Sequence, residues 1–168
     1  MVTSRYYRVA ELTFGFTAQE DLFDLLPNYA PFEVQAASAD LFHLTVSQDA
    51  CPVDEKALTA YFTDKSDDDM PRIELYQMSE QWLLCVSMYR DSETCCRILA
   101  SNDWTEATLY MTTEHKRFAV DNAAMLLYAF TSCFKQALTL HASVIKYEGQ
   151  GYFFLGKSGT GKSTHSRQ

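Results

Sequence analysis

The residues best suited to chemistry in this chain lie near its C-terminal end. Residues 156–163 read Gly156-Lys157-Ser158-Gly159-Thr160-Gly161-Lys162-Ser163. This fits G-x-x-x-x-G-K-[ST], the pattern of a phosphate-binding loop. Glycines reach positive φ without penalty and let the backbone come close to phosphate oxygens. Successive backbone N–H groups in such a loop form a concave nest for an anion. Lys162 is the residue to bridge the β- and γ-phosphates. Ser163 is the residue to ligate Mg²⁺, with Thr164 beside it. The species implied are therefore ATP and Mg²⁺. The same eight residues also fit a plain Gly/Ser-rich surface loop, so context has to separate the two readings. The apolar run Tyr152-Phe153-Phe154-Leu155 is the strand that should feed a phosphate loop. A helix starting near Lys162 would add the positive end of its dipole.

The elements upstream complete that context. Residues 138–147 and 151–155 read as two strands joined by Glu148-Gly149-Gln150, a connection short enough for a hairpin. Before them, residues 118–137 contain neither Gly nor Pro and are apolar on nearly every side. That pattern predicts a buried helix. Asp121 near its start and Lys135 near its end suit the helix dipole.

The segment LHASVIKYEGQGYFFLGKSGTGKST resembles the nucleotide-binding core of the HPr kinase/phosphorylase family and its relatives in the PEP carboxykinase-like superfamily. Three features carry the resemblance: the His141-Ala142 pair 15 residues before Gly156, the hairpin into the loop, and the helix before His141. It covers residues 118–168. The resemblance implies ATP-dependent phosphoryl transfer to a hydroxyl, on a protein serine or a small molecule. It also implies an active-site role for His141 near the phosphates. Taken alone, a histidine on a strand is more often a core or surface residue, and His43, His115 and His165 have no such support. The family supplies adjacent aspartates downstream of its loop, whereas this sequence stops five residues after Ser163. The expectation is a kinase cut just after its phosphate loop, inactive as given. The alternative is a non-enzymatic binding or interaction module with a vestigial loop.

The remaining residues must supply a scaffold. Alternation of apolar and polar residues runs through Leu12–Phe16, Phe42–Val46, Ile73–Leu75, Trp82–Met88, Cys96–Ala100 and Ala107–Met111. This is the period of half-buried strands. The last four runs are separated by short polar stretches and predict an antiparallel meander over 72–112, with Trp82, Leu84, Val86, Ile98 and Leu109 in one core. Thr17 and Glu20 stand at capping-box spacing before a helix expected over 18–26, which Pro27 would end. A second short helix is expected at 53–62. Residues 64–71, DKSDDDMP, read as a solvated acidic loop.

The chain has 168 residues, enough for one domain or a domain and part of another. Its division is expected at an acidic, β-rich N-terminal domain, 1–115, and the start of a kinase-like domain, 116–168. The fold class is α+β. The net charge of −8 is uneven: residues 135–168 hold five bases and one acid. Nonspecific nucleic-acid binding by the acidic part is disfavoured. The longest apolar run, 123–130, is too short to span a membrane. The start lacks the apolar core of a secretory signal. The five cysteines, Cys51, Cys85, Cys95, Cys96 and Cys133, form no C-x-x-C and are expected as free thiols in the cytoplasm. The apolar helix predicts an exposed patch and self-association into a homo-oligomer.

Overall fold

A computed structural model describes residues 1–36, 38–64, 71–89, 92–112, 114–140, 142–156 and 159–166. The chain is a mixed α+β fold, rich in strands and poor in helix. It divides into two compact units, residues 1–137 and 138–168.

The first unit is built on a sheet that has nine strands among the described residues. In chain order they are β1 (Val2–Val9), β2 (Leu12–Gln19), β3 (Glu33–Val34), β4 (His43–Ser47), β5 (Phe62–Thr63), β6 (Arg72–Gln77), β7 (Gln81–Ser87), β8 (Thr94–Ser101) and β9 (Glu106–Met111). Their order across the sheet is β3-β1-β2-β4-β9-β8-β7-β6-β5. The four strands of the expected meander, β6 to β9, are antiparallel neighbours. The sheet as a whole is mixed rather than antiparallel, because β4 runs parallel to both β2 and β9. That strand joins the N-terminal hairpin to the meander.

Period two divides each strand between the faces. On one face Phe14, Phe16, Leu44, Leu84, Val86, Cys96, Ile98, Ala107 and Leu109 are buried in a single core. Trp82 packs against that core but is only half-buried. Helix α2 (Lys116–Cys133) contributes Ala119, Val120, Ala123, Ala124 and Leu127 to it. The alanines leave room for the helix to lie close on the sheet. The helix expected over 118–137 forms over 116–133; one face is fully buried, most of the rest is half-buried, and Met125 lies exposed. Asp121 does not act through the helix dipole alone. It accepts a hydrogen bond from Tyr29 at 2.9 Å and pairs with Arg117 at 3.5 Å. The helix packs with β8 and β9 and so belongs to the sheet's compact unit, although the sequence groups it with residues 116–168.

Two other local expectations fail for identifiable reasons. Strand β2 continues to Gln19, so α1 is one turn only, Glu20–Phe23, with no side-chain cap. Thr17 is not a capping residue because its hydroxyl bonds across the sheet to Ser4 and His43, each at 2.7 Å. The helix expected over 53–62 is a short 3-10 turn, Glu55–Ala57, capped by the Asp54 carboxylate, which accepts from Lys56 N. Most of the acidic loop, residues 65–70, lies outside the described residues.

The second unit is a two-stranded hairpin, β10 (Ala142–Tyr147) and β11 (Gln150–Leu155), followed by α3 (Lys162–His165). Its turn is two residues, with Glu148 at φ 48° and Gly149 at φ 80°. That backbone matches the right-handed twist of the strands it joins.

Candidate phosphate-binding loop

Strand β11 delivers the chain to Gly156, and α3 begins at Lys162. Gly159 and Gly161 take φ of 80° and 81°, in the left-handed region where a side chain is strained. A Cβ built at either would meet nothing within 4 Å, so these glycines are required by backbone conformation and not by crowding. At Gly156 the constraint is steric: a Cβ there would stand 3.0 Å from Thr160 Oγ1.

Lys162 Nζ donates to the Gly156 carbonyl at 2.8 Å, reaching from one end of the loop to the other. This brings the loop's ammonium over the glycine-rich backbone. Ser163 and Thr164 are exposed, with hydroxyls available to an incoming group. The short helix is tied down by a residue that the sequence reading passed over. Ser166 Oγ is 2.7 Å from Ser143 Oγ on β10 and donates to the Ser163 carbonyl at 3.2 Å. No sequence signal marks Ser166, since its partner lies 23 residues away.

By residue type, the described part of the loop carries backbone N–H groups at 159–161, the Lys162 ammonium and the exposed Ser163 and Thr164 hydroxyls, groups that could meet an anion and a hard cation. His141, Lys157 and Ser158, which the sequence reading placed in the same site, lie outside the described residues. The only acid in 138–168 is Glu148. It sits in the hairpin turn, roughly 20 Å from the loop end at about 3.4 Å per residue. Among the described residues no three His, Cys, Asp or Glu side chains converge as metal ligands.

Two polar constellations in the first unit were not read from the sequence. Arg97 on β8 makes a two-pronged pair with Glu55, Nε to Oε2 at 2.8 Å and Nη2 to Oε1 at 2.5 Å. The hydrogen bonds from Arg97 hold the Glu55 carboxyl below its ordinary value. The pair borders a cavity of about 450 Å³ that also carries Asp49, Asp54, Cys51 and Cys95. On β4, His43 Nε2 meets Thr17 Oγ1, and the His43 and Tyr6 rings lie 5.9 Å apart over Gly15. Arg97 with Glu55 and His43 with Thr17 are each matched within the protein, as a structural network requires.

The architecture is thus that of a strand-rich α+β chain whose last hairpin runs into a glycine-lysine-serine loop. No protein-family model, curated protein or solved structure matches the chain. No helix of the described residues is long and apolar enough to cross a membrane.

Proposed function

We propose that this chain carries the phosphate-binding portion of an ATP-dependent phosphotransferase of the HPr kinase-like kind, acting on a protein serine or a small-molecule hydroxyl. The observation that supports this best is the Lys162–Gly156 contact across a loop entered directly from a hairpin strand. In this reading Lys162 leaves the Gly156 carbonyl for phosphate oxygens, and the loop amides orient them. Ser163 would hold Mg²⁺, which when bound neutralises charge developing on the transferred group. His141 is assigned a role beside the phosphates on the strength of the resemblance. A positively charged cradle of this type works by orientation and electrostatics, so it needs carboxylates elsewhere to place Mg²⁺ and the acceptor.

A second reading is favoured by one observation: Glu148, the sole acid of residues 138–168, stands at the far end of the hairpin. Under it the loop binds a phosphorylated ligand without turnover. Binding of a fluorescent ATP analogue to the full chain, with and without Mg²⁺, tests the shared premise. Saturable binding that weakens at least tenfold in Lys162→Ala is expected. Equal affinity of the two proteins would overturn both readings. Release of phosphate from MgATP by the chain, lost in the same variant, would exclude the binding module; the kinase reading expects none from the phosphate-binding portion alone.

A further inference from the structure

The first unit holds a cavity where three parallel strands end together. Strands β2, β4 and β9 run parallel and finish at Gln19, Ser47 and Met111. Side chains from the three exits line a space of about 260 Å³. In open sheets with parallel strands, the crevice outside the carboxyl ends is where ligands bind. Leu22, Val46 and Met111 give this cavity an apolar surface. Asp21 of α1 and Lys116, the first residue of α2, line it as well.

Among the described residues, neither the Asp21 nor the Lys116 side chain takes part in a hydrogen bond or an ion pair. Their chain neighbours do. Glu20 pairs with Arg5 at 2.6 Å, and Arg117 pairs with Asp121 at 3.5 Å. The protein thus matches the adjacent charges and leaves one of each sign on this cavity. Gln19 and Gln48 add two side-chain amides, also without partners among the described residues. The cavity beside Arg97 is different. There Arg97 holds Glu55, Asp49 accepts from Ser47, and Asp54 accepts from Lys56 N.

We infer that this cavity binds a small zwitterion of the amino-acid type with an apolar side chain. The ligand's carboxylate meets the Lys116 ammonium, and its ammonium meets the Asp21 carboxylate. Its side chain rests on Leu22, Val46 and Met111. The glutamine amides can donate to the carboxylate or accept from the ammonium. A ligand with a single charge would leave either Asp21 or Lys116 unmatched. Size points the same way. The volume lies just below the range of about 300–1,000 Å³ usual for small-molecule sites, which favours one amino acid over a nucleotide or a peptide. Lys116 is half-buried, so its charge is the less screened of the two; Asp21 is exposed. The inference stands apart from the nucleotide reading, since every residue it uses lies in the first unit.

Isothermal titration calorimetry of the full chain, with leucine as the probe, is the test. Saturable binding with a dissociation constant of about 1 mM or tighter is expected. Isocaproate, which lacks the ammonium, and isopentylamine, which lacks the carboxylate, should each bind at least tenfold more weakly. Lys116→Met should weaken leucine binding about tenfold, as loss of a charge-assisted contact does. Asp21→Asn should weaken it about threefold, because water screens an exposed charge. Lys135→Met, an exposed position beyond the other end of α2, should leave it within twofold. Methyl resonances of Leu22, Val46 and Met111 should shift on titration while those of Ile73 and Leu75 stay in place. No saturable binding, an analogue that matches leucine, methyl shifts confined to other residues, or wild-type affinity in both pocket variants would overturn the inference. The analogue series on the wild-type chain decides the matter even where a variant fails to fold.

Discussion

Replacing Gly15 by alanine tests how the first unit is packed around its central strands. Gly15 on β2 has Tyr6 of β1 as its register partner on one side and His43 of β4 on the other. A Cβ built there would stand 2.6 Å from His43 Nδ1 and 2.9 Å from Tyr6 Cε1. The His43 ring cannot swing away freely, since its Nε2 is held at 2.7 Å from Thr17 Oγ1. Removing a glycine from a strand interior gains about 0.5–1 kcal/mol. Overpacking costs about 1–3 kcal/mol, and a lost His43–Thr17 hydrogen bond about 0.5–1.5 kcal/mol more. The clash wins, and the expected net loss is about 0.5–4 kcal/mol. In a chain of this size that lowers Tm by about 1–16 °C, at about 2–4 °C per kcal/mol. Urea unfolding followed by tryptophan fluorescence reads the right region, because Trp82 and Trp104 both lie in the first unit. In a His43→Ala background the cost of Gly15→Ala should fall, with the contact to Tyr6 Cε1 at 2.9 Å remaining. A stabilised Gly15→Ala, or an equal cost in the two backgrounds, would refute the reasoning.

Other expectations follow from the core and its charged groups. Leu84→Ala, at a fully buried position on β7, should lose about 2–5 kcal/mol in the same urea assay; a loss below about half a kilocalorie would mean that its face is not in the core. The Glu55 carboxyl is depressed below its ordinary value of 4.5 by Arg97, so its contribution is complete above pH 4.5 and is lost as pH falls through the lower folded value. Urea midpoints measured downward from pH 5 should therefore fall more steeply in the wild type than in Arg97→Ala. Burial pushes the Cys85 and Cys96 thiols up to about 12, whereas Cys133 is exposed. Alkylation of the native protein near pH 8, read by peptide mass, should label Cys133 first; comparable rates at Cys85 or Cys96 would contradict their burial.

What could be read from the residues follows the range of the interactions. The meander was legible because each of its strands pairs with its sequence neighbour and announces its buried face by alternation. The last hairpin was legible for the same reason, and its Glu148-Gly149 turn supplied the stop. The glycine-lysine-serine motif stood out because its backbone conformations dictate residue type at Gly159 and Gly161. The placement of β4 between β2 and β9 was hidden, since parallel pairing leaves no local mark. Helix α2 was read as buried all round because apolar composition alone does not say which face meets a sheet. Thr17 misled for a related reason: its spacing to Glu20 mimics a cap, while its hydroxyl is committed to partners on two other strands. The Arg97–Glu55 pair joins residues 42 positions apart and has no signature at either end.

The parallel seating of β4 has a consequence for how the protein reaches this structure. Hairpin β1–β2 and the meander β6–β9 each close over short stretches and can form early. Joining them requires β4 to find β9, bringing His43 beside Glu106 across more than sixty intervening residues. The entropy of that closure is spent before the contact returns anything. Seating β4 is the step with the longest closure, and long-range pairing of this kind slows folding. Until it seats, β2 and β9 each present an unpaired edge, and the interval before docking is when the chain is most exposed to pairing with another strand.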